Sequence, residues 1–92
     1  MPLRFVVAIK ALPGKQEEMI KAYASLCSSV REEPGCQQFE TYQNIEAPDR
    51  FVVLERWADQ ESLTTHVQRM QDRGLDLDSV RIRVGDPESY TT

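Results

Sequence analysis

Hydrophobic and polar positions divide the chain into four strand-like runs and two helix-like ones. Residues 3–11 (LRFVVAIKA) are rich in β-branched and aromatic side chains, and Pro13-Gly14 ends the run as a turn, which predicts a strand, β1. From Lys15 the period becomes helical. Met19, Ile20, Tyr23, Leu26, Cys27 and Val30 recur at three- and four-residue spacings, with Glu17 and Glu18 in the first turn where the helix dipole favours acids. Pro34-Gly35 stops this helix, α1, because the residue before a proline is driven out of the α region. Residues 36–44 (CQQFETYQN) and 51–58 (FVVLERWA) form the next two strands, β2 and β3, a hairpin whose polar connection holds Pro48 and Asp49. Asp59 then stands as an N-cap before a stripe of Leu63, His66, Val67 and Met70, and Gly74 closes this second helix, α2. Val80, Ile82 and Val84 alternate with Arg81 and Arg83, which predicts a last half-buried strand, β4, and an irregular polar tail over 86–92.

The order β-α-β-β-α-β is the split βαβ, ferredoxin-like α+β arrangement, an antiparallel four-stranded sheet with both helices on one face. In that order β1 and β3 lie side by side at the centre. Neither strand alternates: Phe5, Val6, Val7, Ala8 and Ile9, like Phe51, Val52, Val53 and Leu54, call for burial on both faces. Helices cover one face, and large bare apolar patches are rare on monomers. A second sheet, most simply that of an identical subunit, is therefore expected on the other face, making a homodimer.

Composition narrows the classes further. Ninety-two residues, 40% hydrophobic and 28% charged, fit one globular domain over 1–92 with a small core. Fifteen acidic against eleven basic residues give a net charge of −4, which disfavours a nucleic-acid or anionic-membrane surface. Two cysteines, 27 and 36, and a start without a secretory apolar region point to the cytoplasm. One histidine and two cysteines nine apart match no metal-ligand spacing, so no metal site is expected.

Several residues in order resemble the antibiotic biosynthesis monooxygenase (ABM) family of dimeric α+β barrels: Pro13-Gly14-Lys15, Glu33-Pro34-Gly35-Cys36 leading into Phe39, Arg50 to Trp57, then Asp59, Leu63 and His66. The resemblance runs from about Phe5 to about Met70. It implies a pocket in each subunit between sheet and helices, polar groups supplied by β3 and α2, and oxygenation of phenolic or quinol substrates without flavin, haem or metal. Haem-degrading relatives use an Asn early in β1, a Trp in β3 and a later His; here Trp57 matches, but β1 has no Asn and no second His follows α2. The segment after His66 (VQRMQDRGLDLDSV) is shorter than is usual in the family, which would leave the pocket wall open or rebuilt.

Within that frame His66 is the candidate base. It shares an inward stripe with Leu63 and Met70, and desolvation favours neutral imidazole; an inward histidine is equally an ordinary core residue. Glu55 and Trp57 share one face of β3 with Phe51 and Val53. That face belongs either to the pocket or to the barrel interior, and the resemblance favours the pocket. Trp57 would stack on an aromatic substrate and donate its N–H to a substrate oxygen, or else serve as a core anchor. Glu55 would pair with an arginine or orient His66. Tyr23 and Tyr42 are candidate phenolic donors, with Phe51, Val53, Leu63 and Met70 as walls. Cys27 reads as buried core, and Arg81 with Arg83 as a solvated or interfacial edge. The reading is a cofactor-independent monooxygenase acting on a small electron-rich aromatic. Its alternative is a dimeric module that binds a small ligand without transforming it.

Overall fold

A computed structural model describes residues 1–91. Its elements are β1 (Leu3–Ala11), α1 (Gln16–Val30), β2 (Cys36–Gln43), β3 (Arg50–Trp57), α2 (Gln60–Arg73), a 3-10 turn (Leu77–Ser79), β4 (Arg81–Arg83) and β5 (Glu88–Thr91). The expected ferredoxin-like α+β order is present with one strand more. The sheet runs β2-β3-β1-β4, every pairing is antiparallel, and β1 and β3 are its centre.

The tail expected to be irregular instead forms β5, whose residues Glu88 to Thr91 pair with Val6 to Leu3 of β1. β4 and β5 thus lie end to end along the same edge of β1. The side chains of β5 are exposed, so it is held through its backbone, which a hydrophobic pattern does not report.

Register assigns the two faces. Pairs Phe5–Glu55, Val7–Val53 and Ile9–Phe51 point one way, and Val6–Leu54 and Ala8–Val52 the other. On the first face Ile9, Phe51, Val53, Trp57 and Phe39 meet Met19, Tyr23, Leu26, Cys27 and Val30 of α1 in one core. On the second face Ala8 is exposed and Val6, Val52 and Leu54 are half-buried. β4 breaks the expected alternation: Val80 is in the core, Ile82 is 50% exposed on the second face, and Arg81 and Arg83 turn to the helix side beside Ala11 and Ile9.

Two helix ends behave as their residues dictate. Asp59 Oδ1 accepts from Ser62 N at 2.8 Å and so caps α2, a bond that holds the Asp59 carboxyl below its usual range. Gly35, at φ 81°, lets the turn after α1 press onto the start of α2, where any Cβ would collide with Ser62. Ala58 N donates to Gly35 O across that junction. The turn therefore delivers the residues just before it, Glu33 among them, to the inner side of α2.

Candidate active site

The inner side of α2 is not packed solid. A cavity of about 490 Å³ lies between α2 and the sheet, within the range usual for small-ligand sites. Its floor is Phe5, Val7, Ile9 and Val53, its roof Leu63, His66, Val67 and Met70, and Tyr23 and Leu26 of α1 close one side. The wall after α2 is rebuilt by Leu75, Leu77 and Asp78, which the 3-10 turn folds back towards Arg81 and Arg83.

His66 is 6% exposed, the only side chain of α2 that is fully buried. Its ring stacks on Trp57 with centroids 4.5 Å apart and 28° between planes, and tilts against Phe39 at 5.5 Å. Nδ1 lies 3.1 Å from Oε1 of Glu33, itself 7% exposed. An ionised carboxylate can only accept, so the pairing assigns the ring proton to Nδ1 and leaves a lone pair on Nε2. No described residue hydrogen bonds Nε2. Arg73 Nη2 stands 3.5 Å from the second Glu33 oxygen, an ion-pair distance without hydrogen-bond geometry, and that oxygen is otherwise unpartnered.

Glu33 is the residue that sequence reasoning missed. Glu55, expected to pair with an arginine or alternatively to orient His66, does neither: its Oε1 accepts from the Trp57 indole N–H at 3.1 Å, and no described arginine pairs with it. Burial is the largest influence on the Glu55 carboxyl and raises its pKa, opposed by that indole bond and by the neighbouring His66 and Arg83 side chains.

Trp57 also needs correction. It is 0% exposed and its N–H is spent on Glu55, so it cannot stack on a substrate or donate to one. Its place is behind His66, fixing the plane of the imidazole.

Tyr23 lines the cavity. Its hydroxyl accepts from Arg81 Nε at 2.8 Å, leaving the phenolic proton free, and burial raises its pKa although Arg81 opposes the rise. Tyr42 does not. Two-residue alternation from Phe39, which faces the core, turns Tyr42 to the opposite face beside Val52, away from His66; from the sheet edge it also borders a groove of about 450 Å³ between α1 and β2. Phe51 is buried under α1 and lines that groove as well, not the cavity at His66. Val53, Leu63 and Met70 line the cavity. Cys27 is buried, 3.3 Å from the Thr41 hydroxyl. Among the described residues no cluster of three or more His, Cys, Asp or Glu is placed to hold a metal, and no helix is long and apolar enough to cross a membrane.

Comparison with known proteins bears on the family and the fold. The family model described as antibiotic biosynthesis monooxygenase matches residues 2–71. The Bacillus subtilis (strain 168) protein named "Putative monooxygenase YcnE" is 31% identical over 81 residues, covering 83% of this chain and 85% of its own. A crystal structure of a conserved protein from Methanosarcina mazei Go1 superposes with a TM-score of 0.84 at 25% identity, covering 98% of this chain and 91% of that one. Rv0793 from Mycobacterium tuberculosis shares the fold, with a TM-score of 0.83 at 15% identity over 100% of this chain and 95% of that one.

Proposed function

Because the chain belongs to the antibiotic biosynthesis monooxygenase family, we propose that it oxygenates a small electron-rich aromatic, a quinol or polyketide phenol, in the cavity between α2 and the sheet. The observation that carries this reading is a buried histidine on the cavity wall with Nδ1 committed to Glu33 and Nε2 uncommitted. Such an imidazole is set up to take a phenolic proton. The imidazolium formed is stabilised by the Glu33 carboxylate and by the Trp57 ring face. Tyr23 supplies a donor to the phenolate oxygen, and the apolar floor keeps the anion dry.

A phenolate or quinolate is itself a reductant. It passes one electron to dioxygen, the resulting pair recombines as a carbon hydroperoxide, and loss of water leaves a quinone. The sum is ArH(OH) + O₂ → quinone + H₂O: one oxygen atom enters the product, the other enters water, and all four electrons come from the substrate. The protein supplies a base, a donor and an enclosure, so the reading needs no cofactor.

A second copy of the chain is proposed to cover the sheet face of Val6, Ala8, Val52, Leu54 and Ile82, in keeping with the dimers usual in this family. Arg56 Nε on that face is buried without a hydrogen-bond partner among the described residues, as a group awaiting an acceptor across an interface would be. Free Cys27 and Cys36 suit a reducing compartment such as the cytoplasm.

Oxygen uptake with a panel of quinols tests the function. Turnover is expected, with a loss of about 10²–10⁴-fold in kcat on His66→Ala. Quinol binding with no oxygen consumed would assign the chain to the non-catalytic ligand-binding module instead.

A further inference from the structure

The proposed oxygenase reading leaves two cavity residues without a task, Arg81 and Arg83. They stand two apart on β4, both turned to the helix side, about 7 Å apart along the strand. In a chain of net charge −4, two guanidinium groups on the rim of one cavity run against the general balance. Arg81 is held by the Tyr23 hydroxyl through Nε and by Asp78 through Nη1 at 2.9 Å. Asp78 is 89% exposed, so this ion pair is weak and easily surrendered to a competing acid. Arg83 makes no ion pair or side-chain hydrogen bond with any described residue, yet its charge acts on both Glu55 and Tyr23. It lines the cavity beside Arg81.

The cavity is polarised. One end holds His66 and Glu55, the middle is aliphatic and aromatic, and the rim at β4 carries the two arginines with Asp78 alone to offset them. We propose that the molecule bound here is an aromatic acid: its carboxylate is held at the rim by Arg83 and Arg81, its ring lies on Val7, Ile9 and Val53, and its phenol points to His66. Planar guanidinium forks match carboxylates in a way that a neutral phenol cannot use. The inference rests on the oxygenase reading for the phenol and on β4 alone for the acid.

Calorimetry separates the two. The probes are 6-hydroxy-2-naphthoate and its methyl ester, which hold the phenol and the carboxyl group at opposite ends of one ring system and differ in charge. The acid is expected to bind at least tenfold tighter than the ester at low salt, and 0.5 M NaCl should erode that advantage. Arg83→Gln should bring the acid down to the ester while leaving the ester within about twofold of the parent. Arg83 is exposed, so this variant does not threaten folding. Arg81→Gln, checked for folding by circular dichroism, should lower the acid's advantage as well. The inference is overturned if the acid does not bind, if the ester binds as tightly, or if the advantage survives both substitutions. Oxygen uptake with 5,8-dihydroxy-2-naphthoate, whose hydroquinone and carboxylate lie on different rings, and with its methyl ester separates this inference from the function it rests on. Equal kcat/KM for the two overturns the acid preference and leaves the oxygenase reading intact. Arginine-dependent binding of the acid with no oxygen consumed from either supports the preference and removes the oxygenase reading.

Discussion

The two helices sit on the same sheet face and are built for different tasks. α1 buries Met19, Tyr23, Leu26, Cys27 and Val30, whereas α2, nearly as long, buries His66 alone. Leu63 and Met70 are half-buried and Val67 is 46% exposed, although all three occupy the apolar stripe of their helix. The difference is the cavity: α1 is pressed onto the sheet, and α2 is propped off it. A small domain thus confines its folding energy to one half and leaves the other half hollow, anchored by the Asp59 cap and the Gly35 junction.

The largest test strikes the α1 half. Met19 is 0% exposed in the core, and Met19→Ala is expected to cost about 2–5 kcal/mol in chemical denaturation. Leu63→Ala on α2 should cost clearly less, because its side chain faces a space that already exists. Equal losses would mean that α2 is as much a part of the core as α1.

On the α2 side the large effect should fall on chemistry. Glu33→Gln keeps the shape of the side chain but no longer dictates which imidazole nitrogen carries the proton. Through that loss of orientation kcat is expected to drop about 10–100-fold. KM should stay near its parental value, because Glu33 does not line the cavity. A rise in KM without a fall in kcat would reduce Glu33 to a packing residue.

Much of this division was readable in advance, and its gaps have physical causes. Unalternated β1 and β3, the Asp59 cap and the Leu63, His66, Met70 stripe are local patterns, and each reappears in place. Glu33 escaped because its partner lies 33 residues away, across a junction that depends on Gly35. One signal for it existed: an acid just beyond the end of a helix opposes the dipole and asks for a reason. Tyr42 was misplaced although strand alternation from Phe39 puts it on the far face. β5 was missed because backbone pairing to β1, not side-chain burial, makes it a strand. Arg81 and Arg83 looked like a solvated edge because β4 was expected to turn its valines and isoleucine inward; the turn at Leu77–Ser79 reverses that parity.

A smaller effect should come from pH. Burial raises the Glu55 carboxyl above its ordinary value near 4.5, so the folded chain keeps a proton that the unfolded chain releases. Below that value both states are protonated and nothing is lost; as pH rises through the folded value, stability falls by about 1.4 kcal/mol for each unit of the rise. Glu55→Gln cannot ionise, and its amide oxygen can still accept from Trp57. Its Tm is therefore expected to exceed the parent's at neutral pH and to match it more closely near pH 4. The same Tm difference at both pH values would mean that Glu55 gains nothing from its proton and that this end of the cavity is wetter than the α2 roof implies.

The smallest change sharpens the comparison most, because it separates wall from core at one position. Val67 belongs to the apolar stripe of α2 and also borders the cavity. As part of a wall, Val67→Ser should leave stability within about 0.5 kcal/mol of the parent, as for other surface-like substitutions. It should raise KM roughly threefold to fivefold at unchanged kcat, since contact with the ring is lost equally in the ground and transition states. As part of a core, it would instead cost more than about 1 kcal/mol of stability and leave KM alone. Denaturation and steady-state kinetics on this one variant therefore read opposite signs for the two descriptions of α2.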